Sequence, residues 1–327
     1  MSRAGEFELI RRYFAPLARG FPGADGLRSD NAIFAADGRR DLVVKTDTIV
    51  AGVHFLADET PQRIAEKALR VCLSDLAAGG AHPVAYQLAL ALPGSLNERW
   101  VAAFARALAA DQRRYKILLS GGDTVRTPGP LSITVTAVGQ VARGRALLRS
   151  GARAGDQLWV TGTIGDAALG LRVATDQLKP PTDEARFLED RFRRPRPRTA
   201  LGPQLIGIAH AAADVSDGLL ADVGHVANAS GLRVTMDREL VPLSRPARRA
   251  VQRLPGLWST VLAGGDDYEL VLAVPPRREA ALLKAARAVR LLVTRIGRFD
   301  RGRGVELRSG GRKLAIERTG WDHFPGK

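Results

Sequence analysis

Aspartates flanked by glycine, serine or threonine recur along this 327-residue sequence. The pattern occurs at Asp30, at residues 46–48, at 74–75, at 121–124, at 214–218 and at 264–269. Carboxylate oxygens are ligands that Mg²⁺ prefers, and Mg²⁺ is usually held by one or two carboxylates together with substrate phosphates. Neighbouring glycines let backbone N–H groups approach phosphate oxygens closely. The set therefore predicts a site for several Mg²⁺ ions and phosphate groups, provided that the aspartates converge in space.

Each of these stretches also has a structural explanation, because Asp-Gly and Ser-Asp pairs are common in turns and helix N-caps. The sequence contains no GxxxxGK[ST] loop, no GxGxxG after a strand, no HExxH and no GxSxG. Ordinary P-loop kinases, Rossmann dehydrogenases, zincins and α/β-hydrolases are therefore excluded. Taken together, the aspartates favour magnesium and phosphate chemistry, on loops that lead into helix N-termini.

Composition and charge narrow the class of protein further. The chain is 45% hydrophobic and 25% charged, as folded globular proteins are, and its length suggests about two domains. The net charge is +15, but the basic residues are scattered and form no block interleaved with aromatics, so we expect no nucleic-acid partner. The chain has a single cysteine, Cys72, which excludes a disulfide framework. Cys72 is expected on the apolar side of a helix, within the protein core.

Neither a membrane span nor a signal peptide is expected from the sequence. No apolar run approaches the roughly 20 residues that cross a bilayer. The first residues, MSRAGEFELIRRYF, lack an apolar signal core and predict an amphipathic helix. We therefore expect a cytoplasmic protein that does not bind membranes.

Apolar periodicity predicts that strands and helices alternate throughout the chain. Strands are predicted at 42–44, 86–92, 117–119, 132–141 and 158–161, and helices at 7–17, 63–78, 98–110 and from Gly165. The fold class is α/β (α+β), with domains at 1–147 and 148–327. Residues 193–198, rich in proline and arginine, predict a solvated linker.

Two of the acidic motifs recur at nearly the same spacing. Ser74-Asp75 returns as Ser216-Asp217, and the Gly-Gly-Asp of 121–123 returns at 264–266, at offsets of 142 and 143 residues (216 − 74 and 264 − 121). Either the two halves present similar acidic loops, or two short matches arose by chance.

The motifs together carry a resemblance to the thiamine-monophosphate kinases, which belong to a superfamily with aminoimidazole ribonucleotide synthetase and selenophosphate synthetase. The resemblance is carried, in order over nearly the whole chain, by Phe7, TDTIVAGVHF (46–55), LSDLAA (73–78), GGDT (121–124), RSGA (149–152), VTGTIGD (160–166), DVSDGL (214–219) and WDHF (321–324). Single motifs are shared across the superfamily, whereas TDTxVxGVHF, RSGA and DHF in combination are specific to the kinases.

The resemblance implies a fold, a reaction and partners. The N-terminal domain, 1–147, would bind ATP and Mg²⁺, and its sheet would pair with that of a second copy in a homodimer. The C-terminal domain, 148–327, would be an α/β domain that completes the active site. The reaction would transfer a phosphoryl group from ATP to thiamine phosphate, giving thiamine diphosphate.

The resemblance also implies roles for individual residues. Mg²⁺ would be bound by Asp30, Thr46, Asp47, Asp75, Asp123, Asp214 and Asp217. ATP would contact Gly121, Gly122, Arg149 and Ser216. Thiamine phosphate would contact His54, Asp266 and Trp321, although His54 and Trp321 have equally good explanations as packing residues. Arg149 and Asp123 are the candidate catalytic residues.

Phosphoryl transfer to a phosphate acceptor also agrees with the absence of a catalytic-base motif in the sequence. A phosphomonoester has a second pKa of about 6, so a phosphate acceptor is largely ionised at pH 7 and needs no catalytic base. That is consistent with a sequence that shows no convincing Ser-His or Cys-His pair. Positioning and charge neutralisation, by Mg²⁺ and an arginine such as Arg149, would then carry the catalysis.

Three positions depart from the pattern of the family. Ser29 replaces one of two adjacent aspartates, Lys45 precedes Thr46 where a serine or threonine is usual, and Asp266 replaces a glutamate. A lysine beside a metal site weakens it, because the two cations repel each other. Lys45 either replaces the charge of one metal in a working kinase or marks a degraded paralogue that binds nucleotide or thiamine phosphate without turnover. A related superfamily enzyme acting on another substrate is the remaining alternative.

Overall fold

The computed structural model describes residues 10–21, 38–316 and 320. The chain divides into two compact units. The first comprises Met1–Leu76 and Ala81–Gly144, and the second comprises Ala77–Gly80 and Arg145–Lys327. Each unit contains one mixed β-sheet and several helices, so the predicted α/β (α+β) class is confirmed.

The first unit is built on a four-stranded sheet. Its elements are a π-helical turn (Ile10–Phe14), a 3₁₀ turn (Ala15–Ala18), strands β1 (Arg40–Val50), β2 (His82–Pro93), β3 (Leu118–Thr127) and β4 (Ser132–Ala142), and helices α1 (Pro61–Ala78) and α2 (Glu98–Tyr115). The strand order is β1-β4-β2-β3. The pairs β1–β4 and β4–β2 are antiparallel, and β2–β3 is parallel.

Helices α1 and α2 begin with sequence signals that favour helix formation. The Thr60 hydroxyl accepts a hydrogen bond from the Arg63 N–H, and proline follows at the first position of α1. The Asn97 side chain caps α2 by accepting from the Trp100 N–H. A buried Arg70–Asp111 pair joins the two helices through two hydrogen bonds of 2.7 and 2.8 Å.

Helix α1 covers one face of strand β1. The Cys72 thiol lies 3.3 Å from Asp47 Oδ2 and 3.3 Å from the Val135 carbonyl of β4. Successive side chains of a strand point to opposite faces, so Lys45 and Asp47 share this face and Thr46 lies on the other. Cys72 is fully buried, which confirms its predicted place in the core.

The second unit is built on a seven-stranded sheet of order β11-β10-β7-β9-β5-β8-β6. Its strands are β5 (Gln157–Thr161), β6 (Ala211–Asp214), β7 (Leu232–Asp237), β8 (Leu270–Val274), β9 (Val293–Arg301), β10 (Gly304–Ser309) and β11 (Arg312–Lys313). Its helices are α3 (Asp166–Ala174), α4 (Thr182–Arg193), α5 (Leu219–Ala229), α6 (Arg245–Arg253), α7 (Leu257–Ala263) and α8 (Glu279–Ala288), with 3₁₀ turns at Gly202–Leu205, Arg238–Leu240 and Pro276–Arg278.

The central strands of this sheet are buried on both faces. In β8, Val271 and Ala273 belong to one hydrophobic cluster, which includes Val223 of α5. Leu272 and its neighbours two residues away belong to a second cluster, which includes Leu282 of α8. Because side chains alternate along a strand, burial on both faces requires the continuous apolar sequence LVLAV.

The segment 121–123 is not a loop before a helix, so that prediction is wrong here. Strand β3 continues through it in parallel register with β2, pairing Gly122 with Leu88 and Asp123 with Ala89. A Cβ atom on Gly122 would lie 1.9 Å from the Leu88 carbonyl oxygen, so only glycine permits this close approach. The ladder therefore extends past the apolar residues that signalled the strand.

The recurring motifs occupy different backbone structures in the two units. Ser74 and Asp75 lie within helix α1, whereas Ser216 and Asp217 lie in the connection between β6 and α5. The Gly-Gly-Asp of 121–123 is strand, while that of 264–266 follows helix α7 as a loop. The recurrence is therefore not a repeated structural element.

The solvated linker expected at residues 193–198 is also a wrong prediction. Arg198 forms hydrogen bonds to both oxygens of the Glu269 carboxylate, which is fully buried. Pro195 and Pro197 are buried as well. Arg198 thus ties the end of this segment to Glu269, just before β8, because arginine can neutralise a buried carboxylate. Within the parts of the chain that the structure describes, no helix is both long and apolar enough to cross a bilayer.

Candidate functional site

Two of the predicted metal-binding aspartates meet in the first unit. Asp47 extends from β1 and Asp75 from α1, and each places its Oδ1 atom 3.1 Å from the Lys45 ammonium nitrogen. The other oxygen of Asp47 accepts the Cys72 thiol at 3.3 Å. The fold therefore brings Asp47 and Asp75 together around a lysine.

The two carboxylates change the pKa values of Lys45 and Cys72. Burial disfavours the ammonium form of Lys45, but the Asp75 and Asp47 carboxylates more than offset this, so the pKa of Lys45 is raised above its ordinary value. Burial, followed by the charge of Asp47, raises the pKa of the Cys72 thiol well above its usual range. Lys45 is therefore a cation and Cys72 a neutral thiol at physiological pH.

The other candidate residues of the first unit have different surroundings. The Thr46 hydroxyl pairs with that of Thr136 at 2.9 Å on the opposite face of the sheet, so the fold does not bring it to Asp47. Asp123 is exposed and accepts the Thr124 N–H at 2.8 Å. His54 Nδ1 accepts the Val50 N–H at 3.0 Å, which closes the turn after β1. Nδ1 is therefore unprotonated, and the proton of the neutral ring lies on Nε2.

In the second unit, a buried aspartate organises the connection between β6 and α5. Asp222 Oδ2 accepts the backbone N–H groups of Ser216, Asp217 and Gly218 at 3.0, 3.1 and 3.2 Å. Gly218 has a φ of 123°, which favours glycine, and it caps helix α5. Asp222 thus fixes the backbone from which Ser216 and Asp217 extend.

Three carboxylates of this connection lie close enough to interact. Burial, and then the charges of Asp214 and Asp217, raise the pKa of Asp222 to about 8. One oxygen each of Asp217 and Asp222 and one ring nitrogen of His225 lie within 4.8 Å of one another. We name this set, with Asp214, the β6–α5 carboxylate cluster.

The β6–α5 carboxylate cluster fits a hard divalent cation. Asp222 Oδ1 is buried, and among the described residues it has no hydrogen-bond partner. Carboxylate oxygens are the donors that Mg²⁺ prefers, and a cation there would relieve the repulsion that raises the Asp222 pKa. Asp222 is not among the residues that the motifs single out. Its position four residues after Gly218, where an acidic residue favours the helix N-terminus, is the signal that points to it.

A strained loop lies beside this connection. Gly265, Asp266 and Tyr268 have φ angles of 74°, 64° and 51°, a region that non-glycine residues rarely adopt. The Asp266 N–H donates to the Ser216 carbonyl at 2.8 Å, and the Tyr268 hydroxyl donates to Asp266 Oδ1 at 2.9 Å. The fold therefore brings the predicted residues Ser216 and Asp266 together.

Next to this loop, two acidic side chains are held by hydrogen bonds within the fold. Arg191 donates to Glu269 at 3.0 Å, and Arg198 donates to the same carboxylate at 2.6 Å. Asp267 accepts the N–H groups of Gly165 and Ala167 at 2.6 and 3.2 Å, which caps helix α3. Burial raises the pKa of Asp267 to about 8. These groups are structural, because hydrogen bonds already occupy their oxygens.

Arg149 is exposed, and its positive charge acts on Asp222, whose pKa it lowers. Its backbone carbonyl accepts the Ser230 hydroxyl at 3.3 Å. The predicted residues Asp30 and Trp321, and the motif residues Phe7 and Ser29, lie outside the described residues.

Comparisons with known proteins agree with these two units. Residues 28–141 match the family model for the N-terminal domain of AIR synthase related proteins, and residues 153–310 match the model for the C-terminal domain. The thiamine-monophosphate kinase of Caulobacter vibrioides is 43% identical over 97% of this chain and 90% of its own length.

Solved structures give the same result. The crystal structure of thiamine-monophosphate kinase from Stenotrophomonas maltophilia K279a is 41% identical, with a TM-score of 0.80 over 88% of this chain and 91% of that chain. AaThiL, solved as a complex with AMPPCP and TMP, is 31% identical, with a TM-score of 0.78 over 89% of each chain. On this similarity over nearly the whole sequence, the chain belongs to the thiamine-monophosphate kinase family of AIR synthase related proteins.

Proposed function

We propose that this protein transfers the γ-phosphoryl group of ATP to the phosphate of thiamine monophosphate, giving thiamine diphosphate and ADP. The observation that carries the proposal is similarity over almost the full chain to kinases named for this substrate. One of these relatives was solved with a nucleotide, AMPPCP, and with TMP. The chain therefore takes ATP, Mg²⁺ and thiamine monophosphate.

The reaction is a direct displacement between phosphate groups. An oxygen of the thiamine phosphate forms a bond to the γ-phosphorus of ATP, while the bond from that phosphorus to the β,γ-bridging oxygen breaks. The acceptor oxygen is already ionised near neutral pH, so no side chain needs to remove a proton. The protein acts by orienting two polyanions and neutralising their charge.

Mg²⁺ would supply charge neutralisation at the phosphate oxygens. In the first unit, Asp47, Asp75 and Asp123 are the proposed ligands, with Asp30 and Thr46 as the family resemblance implies. In the second unit, Asp214 and Asp217 are the proposed ligands. Asp222 supports this role by fixing the backbone N–H groups of residues 216–218.

The remaining contacts are proposed by motif. Gly121, Gly122, Arg149 and Ser216 contact ATP, and His54, Asp266 and Trp321 contact thiamine monophosphate. Arg149 and Asp123 are proposed as catalytic residues. The positive charge of Arg149 acts on the β6–α5 carboxylate cluster, which supports its placement near anionic groups. The close approach of Gly122 to Leu88 fixes the backbone at the proposed nucleotide contact.

We also propose that the protein is cytoplasmic and forms a homodimer through the first unit. Leu42 and Val44 are 50% and 60% exposed on the face of β1 that α1 does not cover. Such side chains favour pairing with a second copy. In this organisation residues 1–147 bind ATP and Mg²⁺ and dimerise, and residues 148–327 complete the active site. Light scattering should give a dimer mass, and Val44→Asp should lower it.

The direct test is a coupled assay of ADP release from the full chain with ATP and Mg²⁺. Thiamine monophosphate should support turnover, while thiamine and aminoimidazole precursors should not. Asp75→Asn and Asp217→Asn should each lower kcat/KM about 1000-fold, because each removes a carboxylate beside the metal. Asp176→Asn is the matched control, since Asp176 is exposed and asparagine tolerates its φ of 58°.

The assay also distinguishes the alternatives. A chain that binds ATP by calorimetry but releases no ADP with any acceptor would be a degraded paralogue. Turnover with an aminoimidazole precursor but not with thiamine monophosphate would make it a related enzyme on another substrate. Either result would overturn the proposed function.

A further inference from the structure

We propose that Lys45 is a built-in cation for the Asp47–Asp75 pair and takes the place of one Mg²⁺ ion there. The inference rests on the proposed function, which requires Mg²⁺ beside these carboxylates. It concerns a side chain that competes with metal rather than one that binds it. The consequence is a kinase that needs fewer metal ions in its first unit.

The geometry of the pair carries the inference. Asp47 and Asp75 extend from different elements, β1 and α1, and both place Oδ1 3.1 Å from the same ammonium nitrogen. An ammonium has three donors, so Lys45 bridges the two carboxylates as a metal ion between them would. The three side chains are only 22 to 35% exposed, so water screens the interaction less than at an open surface.

The same geometry opposes entry of a divalent cation between the two aspartates. Mg²⁺ requires direct contact with carboxylate oxygens, and the Oδ1 atoms already face the ammonium. The second oxygen of Asp47 accepts the Cys72 thiol. Two like charges at contact range repel strongly, so Mg²⁺ bridges the two Oδ1 atoms only when Lys45 moves away.

Lys45 also affects the metal-free protein. A lysine ammonium has an ordinary pKa of about 10.4, so it stays charged at neutral pH. With Lys45 in place the two carboxylates and the ammonium carry a net charge of −1, and without it they carry −2. The fold therefore tolerates these two neighbouring carboxylates in the absence of any metal.

The experiment is a calorimetric titration of the metal-free full chain with Mg²⁺, in the absence of nucleotide. Lys45→Met should add one Mg²⁺ site per chain or tighten binding at least about tenfold, because it removes the competing charge but not the carboxylates. Lys45→Arg keeps the charge and should show no gain. Lys284→Met, which removes an exposed lysine on α8, should also show none.

A double variant shows whether the gained metal uses this pair. Asp75→Asn in the Lys45→Met background should abolish the gain. Thermal melting gives a second measurement: in EDTA, Lys45→Met should melt below the unsubstituted chain, and Mg²⁺ should restore it. If Lys45→Met does not fold without metal, Lys45→Gln replaces it, since its amide can still donate to one carboxylate. Equal Mg²⁺ affinity and stoichiometry in all variants would overturn the inference.

The titration needs no turnover, so its outcome is separate from that of the kinase assay. An active unsubstituted chain whose Lys45→Met variant binds no more Mg²⁺ overturns the inference alone. An inactive chain whose Lys45→Met variant gains a Mg²⁺ site overturns the proposed function, while Lys45 remains the cation of the pair.

Discussion

The two units stabilise their clustered carboxylates in different ways. In the first unit, Asp47 and Asp75 share the ammonium of Lys45. In the second unit, three backbone N–H groups hold Asp222 beside Asp214 and Asp217, and the exposed Arg149 lowers its pKa.

The difference shows what each kind of partner does to a metal site. A side-chain cation neutralises the carboxylates and competes with a divalent ion for the same oxygens. Backbone N–H groups orient a carboxylate without adding a full charge, so the neighbouring carboxylates still repel one another. A bound cation relieves that repulsion. We therefore expect the second unit to depend on Mg²⁺ more strongly than the Asp47–Asp75 pair does.

The largest expected effect on stability concerns the buried pair of Arg191 and Glu269. Arg191→Met removes one of the two arginines that neutralise Glu269, which is fully buried. Breaking a buried pair costs about 3–5 kcal/mol, and since Arg198 remains we expect a loss of about 3 kcal/mol. Urea denaturation measures this loss, and Glu269→Gln in the same background should recover part of it. A loss below about 1 kcal/mol, the range of an exposed ion pair, would contradict this expectation.

A smaller effect separates positioning from metal binding at Asp222. Asp222→Ala removes the acceptor of three N–H groups and should lower kcat/KM about 10- to 100-fold, or about 1.4–2.7 kcal/mol. Asp222→Asn retains an oxygen for these donors and should restore most of the activity. Steady-state kinetics with varied ATP and Mg²⁺ measure both variants. If asparagine is as harmful as alanine, Asp222 is a metal ligand rather than a positioning residue.

The last expected effect is a pH dependence of stability at Asp267. Burial raises its pKa to about 8 in the folded chain, against about 3.9 in the unfolded chain. The folded state therefore binds one more proton between these values, so this group makes stability fall as pH rises from about 4 to about 8. Asp267→Asn removes the titration and should flatten the decline.

Thermal melting in EDTA from pH 5 to pH 8 measures that decline. Asp166 and Arg191, whose charges act on Asp267, remain in both proteins, so the two curves differ only through the substitution at Asp267. We expect the melting temperature of the unsubstituted protein to fall, relative to that of Asp267→Asn, as pH rises over this range. Parallel curves would show that Asp267 stays ionised in the fold.

Local sequence signals predict the regular elements well where burial is one-sided or the ends are capped. Strand β4 and the capped helix α1 lie close to their predicted positions. Strand β3 extends through the segment 121–123 because its partner strand continues beside it, and no local pattern contains that information. Residues 193–198 are held by a carboxylate more than 70 residues away, which composition alone cannot indicate.

The motifs select aspartates that the fold brings together in pairs, but they do not indicate the partners of these aspartates. Asp47 with Asp75, and Asp214 with Asp217, come together within their units. Thr46 is separated from Asp47 because adjacent residues of a strand face opposite sides, and the strand extends further than its apolar core suggested. Asp222 lacks a glycine, serine or threonine neighbour, so the pattern that identifies the others passes over it.

The amino-acid sequence by itself determined the kinase family, the acidic motifs and the unusual lysine at position 45, since these depend only on residue types and their order. Only the tertiary structure decided which charge each carboxylate faces. Strand pairing and helix packing place side chains that are far apart in the sequence within hydrogen-bond distance. For that reason, whether an aspartate meets an ammonium, an arginine or a backbone N–H depends on the fold.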